Sequence, residues 1–218
     1  MKLSKYAMVV KKDAACNVIR VESDGMWLGT PSAIYRATGL PEIRGREQMR
    51  TILSFTDKQM DKVFLREFDF EDLHNVMGCD LSEFAPEEQK TTPVKMVASI
   101  KGKRLTALRA EDGEMIFYDS AYMLPLADEL KDAEYMELAI RKTNGQQYIA
   151  VKNGFNVLAI IMPYRVINDE FLADLQEFQA LCFEQRERDK SRQITGTRPE
   201  VLDIESEQEM MGGIQDDD

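Results

Sequence analysis

The chain has 218 residues, 44% hydrophobic and 31% charged, with a net charge of −11, enough for one domain or two small ones. The charge is uneven: residues 191–218 hold eight acids against two arginines, leaving −6 there and −5 on residues 1–190, a balance that disfavours wholesale phosphate binding while permitting a local basic face. Cys16, Cys79 and Cys182 are far apart and form no C-x-x-C, which excludes a disulfide framework or zinc ribbon and points to a reducing, cytoplasmic compartment; no apolar h-region opens the chain, and no run of about 18 apolar residues marks a membrane span.

In chain order, residues 6–10 form a short apolar run read as a strand, and residues 17–22 alternate as a second. Asp24 and Gly25 form a hairpin-turn signal, after which Met26, Trp27 and Leu28 resume the apolar pattern. Pro31 is placed to start a helix through Ala33, Ile34 and Ala37 that Gly39 stops. Residues 46–55 and 57–68 are expected to be helical, the second with Met60, Val63, Phe64 and Phe68 on one face. Thr56 is its N-cap, with Gln59 completing a capping box. Residues 80–93, polar and holding Pro86 and Pro93, read as a loop.

Strands then return at 94–100 and 104–110 around the turn Lys101-Gly102-Lys103, and at 115–118 after Asp112 and Gly113. A short helix is expected at 125–130. Three further runs follow, YMELAIRKT, QQYIAVKN and FNVLAIIMP, separated by Asn-Gly pairs at 144–145 and 153–154. Asn168 caps a long helix with Asp169 and Glu170 in its first turn. Its interaction stripe is Phe171, Leu175, Phe178 and Cys182, facing the sheet or a partner. After Ser191 the apolar density falls away, and a disordered acidic tail is expected. Asp24-Gly25 followed by Ser32-Ala33, and Asp112-Gly113 followed by Ser120-Ala121, form an echo that chance or a duplication explains.

The residues offer little bond-making chemistry. The single histidine, His74, lies among Asp69, Glu71, Asp72, Cys79 and Asp80. The acids there fall on several helix faces, so no metal site and no cofactor is assigned. G-x-S-x-G, G-x-x-x-x-G-K-[ST] and G-x-G-x-x-G are absent from the sequence. Basic side chains recur instead. Arg36, Arg44, Arg46 and Arg50 lie on the early helices, and Lys101, Lys103, Arg104, Arg141, Lys142 and Lys152 lie in or beside hairpin turns. Phosphate contact needs Lys or Arg repeated along one face without base-specific geometry, so these ten are the candidate DNA contacts.

The stretch LADELKDAEYMELAIRKTNGQQYIAVKNGFNVLAIIMPYRV pairs a short helix at 126–130 with three strands ending in Ile160, Ile161, Met162, Pro163 and Arg165. Over residues 126–166 it resembles the C-terminal part of bacterial-type DNA sliding clamps, the polymerase processivity factors. That resemblance implies basic helices facing DNA and subunits joined edge to edge in a ring. A long helix and a tail follow the matching stretch, and the helical region 41–90 is longer than a clamp repeat.

The expectation is therefore an α+β fold: antiparallel sheet in two segments, helices between, and a C-terminal amphipathic helix. Residues 1–190 form the body, in two β-rich halves divided near residue 90, and 191–218 the tail. The expected function is a non-enzymatic, DNA-associated accessory protein, clamp-like and nonspecific for DNA. The rivals are a protein-interaction or oligomerisation module without a DNA role, and a metal-dependent hydrolase built on residues 69–80. A protein partner or a homo-oligomer is expected, and no membrane.

Overall fold

A computed structural model describes residues 1–195, with side chains to residue 192. The chain divides into two units, Met1–Val166 and Ile167–Asp218. The expected tail therefore lies, from residue 196, outside the described residues. Among the described residues the fold is α+β, with five α-helices and one mixed sheet of ten strands. Among the described residues no helix is long and apolar enough to cross a membrane.

The first unit opens with helix α1 (Leu3–Asp13), followed by the meander β1 (Ala15–Val21), β2 (Gly25–Gly29) and β3 (Ala33–Arg36). Helices α2 (Gly45–Ile52) and α3 (Asp57–Met60) lead to strand β4 (Phe64–Phe70). A long hairpin, β5 (Gln89–Ile100) and β6 (Lys103–Ala110), continues into β7 (Met115–Asp119). A 3₁₀ segment (Ser120–Leu126) and α4 (Ala127–Lys131) then precede a second meander, β8 (Met136–Thr143), β9 (Gln146–Asn153) and β10 (Asn156–Ile161). The sheet order is β4-β1-β2-β3-β10-β9-β8-β5-β6-β7. Only β1 and β4 run parallel.

The two expected antiparallel segments are thus one sheet, because the two meanders abut. Tyr35, Ile34 and Ala33 of β3 pair with Ala159, Ile160 and Ile161 of β10. Each half reads helix, then meander, and the third strands meet in the middle. The apparent echo does not follow this arrangement. Asp24 and Gly25 join the first two strands of one meander, whereas Asp112 and Gly113 join β6 to β7, ahead of the second helix. The topological counterpart of the first turn is Asn144-Gly145. Both residues there have positive φ, 53° and 76°, as a two-residue type I′ hairpin requires.

Both faces of the sheet are covered, which explains the near-continuous burial along β1, β8 and β9. On one face Tyr6, Val9 and Val10 of α1 pack with Met49, Met60, Tyr122 and Leu126 against Val18, Leu28, Ile140 and Ile149. Lys2 N–H donates to the Pro125 carbonyl at 2.6 Å, which sets α1 beside the 3₁₀ segment. On the other face Ile19, Trp27, Ile34, Tyr148 and Ile160 are closed by Val76, Cys79 and Leu81.

Several local expectations need correction. Residues 6–10 belong to a helix, since Tyr6, Ala7, Val9 and Val10 bury one helical face while Lys11 and Lys12 stay exposed. The helix expected after Pro31 is β3, held in the sheet by pairing on both sides. The helix expected over 57–68 stops after one turn, and Phe64–Phe70 becomes an edge strand on β1. The capping box at its start is present. Thr56 Oγ1 accepts from Gln59 N–H at 3.3 Å, and Gln59 Oε1 accepts from Thr56 N–H at 3.0 Å. Thr56→Ala is expected to lower the unfolding free energy by about 1 kcal/mol, read from urea denaturation.

In the second unit α5 spans Asp169–Thr195. Asn168 Oδ1 accepts from Phe171 N–H at 2.9 Å, and Asp169 and Glu170 occupy the first turn. Leu172, Leu175, Phe178, Leu181 and Phe183 are exposed along it.

Candidate nucleic-acid interface

The ten basic residues expected to meet phosphate separate into three groups. Arg141 and Lys152 are corrections. Arg141 is 0% exposed and Lys152 5%, because both are spent inside. The Arg141 guanidinium donates to Glu88 Oε2 at 2.6 Å and to the carbonyls of Asp80, Ser82 and Glu83 at 2.9, 2.7 and 3.2 Å. Lys152 Nζ donates to Glu88 Oε1 at 2.5 Å. Their job is to fasten the covering segment 71–88 to the sheet.

The arginines of the early region form the second group, and each already faces an acid. Arg36 pairs with Asp24, Arg44 with Glu42 at 2.7 Å and Arg46 with Asp61 at 3.3 Å; Arg50 pairs with Glu47 and with Asp57 at 3.4 Å. A phosphate approaching there meets five carboxylates against four arginines. Lys142 lies 3.9 Å from Glu114 and is similarly offset.

The third group is the β5–β6 hairpin. Between Glu88 and Glu111 the chain has no acid, yet carries Lys90, Lys95, Lys101, Lys103, Arg104 and Arg109. Lys90, Lys95 and Arg109 are not among the ten expected contacts. The signal that finds them is an acid-free window of this length in a chain with 39 acids. Among the described residues Lys95, Lys101, Arg104 and Arg109 make no ion pair, and all four are exposed. Lys103 Nζ sits over the Tyr164 ring, 4.5 Å from its centroid.

The hairpin forms because residues 97–100 and 103–106 pair in register around Lys101 and Gly102, which adopt φ of 48° and 75°. A register shift between Val94 and Val97 bends β5 there. Beside its turn lies a groove lined by Lys12, Lys103, Arg104, Thr106, Asp119 and Ser120. Ser120 Oγ donates to the Arg104 carbonyl at 2.9 Å, and Lys12 is ion-paired to Asp119, whose β7 position faces Leu105 of β6. The C-terminal end of α1 is thereby brought to the basic hairpin.

The reactive groups elsewhere stay apart. His74 Nδ1 is 3.4 Å from Asp80 Oδ1, Asp72 caps the His74 amide, and Asp69 is taken by Arg20. Among the described residues no three or more His, Cys, Asp or Glu side chains gather where an ion could sit. Burial pushes the Cys16 thiol up to about 11, against a lowering hydrogen bond from Tyr6, and the Cys79 thiol up to about 12. At neutral pH both are protonated and shielded, so neither is a ready nucleophile.

Set against family models, curated proteins and solved structures, the chain matches none.

Proposed function

We propose that this protein is a non-enzymatic, DNA-associated accessory protein that holds duplex DNA nonspecifically through the β5–β6 hairpin and the adjoining groove. The observation that carries this reading is the unpaired charge of Lys95, Lys101, Arg104 and Arg109 on an acid-free hairpin. In a chain of net charge −11, such a local field persists only over a Debye length, about 8–10 Å, so contact is confined to that hairpin. Residues 89–110 contain no aromatic side chain. Base stacking is therefore not on offer, which favours backbone contact with a duplex over capture of single strands.

The clamp-like reading draws support from topology. The helix-then-meander that carries the sliding-clamp resemblance occurs on both sides of the β3–β10 seam. The sheet ends at β4 and β7; the Phe117 carbonyl of β7 already accepts from Tyr164 N–H at 2.7 Å, so β4 is the edge better suited to edge-to-edge subunit joining.

The test is fluorescence anisotropy with a labelled duplex across a salt series. Arg104 and Arg109, five residues apart on β6, face opposite sides of the hairpin, so the three contacts of one side predict a log–log slope of about −2.7. The double variant Lys101→Glu, Arg104→Glu is expected to weaken binding at least about tenfold and to flatten that slope by about 2. The pair Arg46→Glu, Arg50→Glu serves as control and should change little. Absence of binding at low salt, or greater sensitivity in the control than in the hairpin variant, rejects this function.

A further inference from the structure

We propose that the end of the sheet around the β9–β10 turn docks a linear segment of another protein, one in which apolar anchors alternate with lysine or arginine. Phe84, Tyr135 and Phe155 are 67%, 72% and 68% exposed there, and Met136 is exposed beside them. The four form one patch. The Phe84 and Phe155 rings lie 5.8 Å apart at 54°. Gly154 N–H donates to the Tyr135 carbonyl at 3.0 Å, and Met136 pairs with Asn153. Contiguous exposed aromatics of this kind mark an interaction site, where they act as anchors. The patch is also held in shape before anything binds. Ser82 Oγ donates to the Phe84 carbonyl at 2.8 Å, and Arg141 holds the carbonyls of Ser82 and Glu83. Lys152, fixed by Glu88, sets its ammonium 5.8 Å from the Phe84 ring centroid. Anchors ordered in advance lose little entropy on binding. Asn153 and Asn156, which bracket Phe155 in the turn, also line a groove of about 530 Å³ with Met26, Leu40 and Leu158. The groove gives an apolar side chain room beside the aromatic patch.

Charge selects the occupant. Glu83 and Glu87 flank Phe84 in the chain, and Asp132 and Glu134 precede Tyr135. All four are exposed, and among the described residues none makes an ion pair. The bases that could offset them are engaged elsewhere. Lys90 lies 3.9 Å from Glu137, and Lys131 lies 4.0 Å from Asp128. Arg141 and Lys152 are buried on Glu88, and Arg36, at the groove, is held by Asp24. The rim is therefore acidic without local compensation, which repels a nucleic-acid backbone and favours a cationic segment. The apolar patch inside that rim requires the segment to bring apolar side chains as well. This polarity is the reverse of the β5–β6 hairpin, so the patch takes a second kind of ligand and does not rest on the DNA reading.

The test uses the full chain and a labelled synthetic peptide in which lysines alternate with leucine and phenylalanine, followed by fluorescence anisotropy at physiological salt. Micromolar binding is expected. The double variant Phe84→Ser, Phe155→Ser should weaken it about tenfold, and Glu83→Lys with Glu134→Lys by a similar factor. Both pairs of changes lie at exposed positions and should leave the urea unfolding midpoint unchanged. A peptide with glutamate in place of each lysine should not bind, and Lys101→Glu, Arg104→Glu should not weaken binding of the basic peptide. The proposal is overturned if the basic peptide fails to bind, or binds the phenylalanine variant undiminished, which marks general attraction to an acidic chain. Equal binding of the glutamate peptide overturns it too, as does a lowered unfolding midpoint in the phenylalanine variant, since the patch then supports the fold. Self-association in sedimentation equilibrium that the same variant abolishes gives the patch to a second copy and likewise overturns it. DNA binding is measured separately, so failure here leaves the hairpin reading standing.

Discussion

Arg141→Met is expected to lower the unfolding free energy by about 3–5 kcal/mol. Arg141 projects from β8 with no exposed surface, and its guanidinium has five N–H donors. They reach Glu88 and the carbonyls of Asp80, Ser82 and Glu83. Removing the cation orphans the three carbonyls and leaves Glu88 to Lys152 alone. The segment that Arg141 fastens also delivers Val76, Cys79 and Leu81 to one face of the sheet, so part of that packing is lost with it. Lysine is no substitute, because a single ammonium cannot span a carboxylate and three carbonyls. Arg141→Lys is therefore expected to recover less than half the loss. By contrast Arg44→Ala, at an exposed pair with Glu42, should change stability by under about 0.5 kcal/mol. Urea denaturation followed by circular dichroism compares the three. Near-wild-type stability in Arg141→Met would refute the fastening role.

Arg141, a surface contact by its place in the sequence and a buried fastener in the fold, marks where sequence stops being informative. Both it and Lys152 sit near Asn-Gly turns, and turn-flanking cations are usually solvated. What reverses that expectation is Glu88, which is 53 residues from Arg141 and 64 from Lys152, and separations of that order leave no local pattern. The second meander was legible because Asn-Gly turns and alternating apolar runs are local, and the same holds for the Thr56–Gln59 capping box. β3 and β4 were not, since each becomes a strand through neighbours elsewhere in the chain: β10 for one, β1 for the other. In 64–70 the residues Phe64, Phe68 and Phe70 satisfy a two-residue period as well as a helical one for part of their length, and pairing with β1 selects the strand. For the candidate interface, the cations were legible but not all of their partners were. Ion pairing offsets Arg44, Arg46 and Arg50; Glu42 and Glu47 lie close in sequence to their partners, whereas Asp57 and Asp61 are brought up by the fold.

Trp27→Ala should cost about 3–5 kcal/mol as well, for a different reason. Trp27 is the chain's single tryptophan and is almost fully buried. Its ring packs in the cluster that includes Ile19, Ile34, Tyr148 and Ile160 under the covering segment. Truncation there opens a cavity between sheet and cover, which the β1, β2 and β3 backbones, paired on both sides, are poorly able to close. The polar part of the loss is small. The indole N–H donates to Asp24 Oδ2 at 2.9 Å, but Asp24 is also held by Arg36, so the carboxylate keeps a partner when the indole goes. Trp27→Phe, which keeps most of the ring and only removes that donor, is therefore expected to cost under about 2 kcal/mol. Circular dichroism follows both variants, and in the wild-type protein and in Arg141→Met the Trp27 emission reports directly on the covered face. If Arg141 and Trp27 act on the same interface, the double variant Arg141→Met, Trp27→Ala should lose less than the two single losses added together. Strict additivity would mean that the fastener and the core it closes are energetically separate.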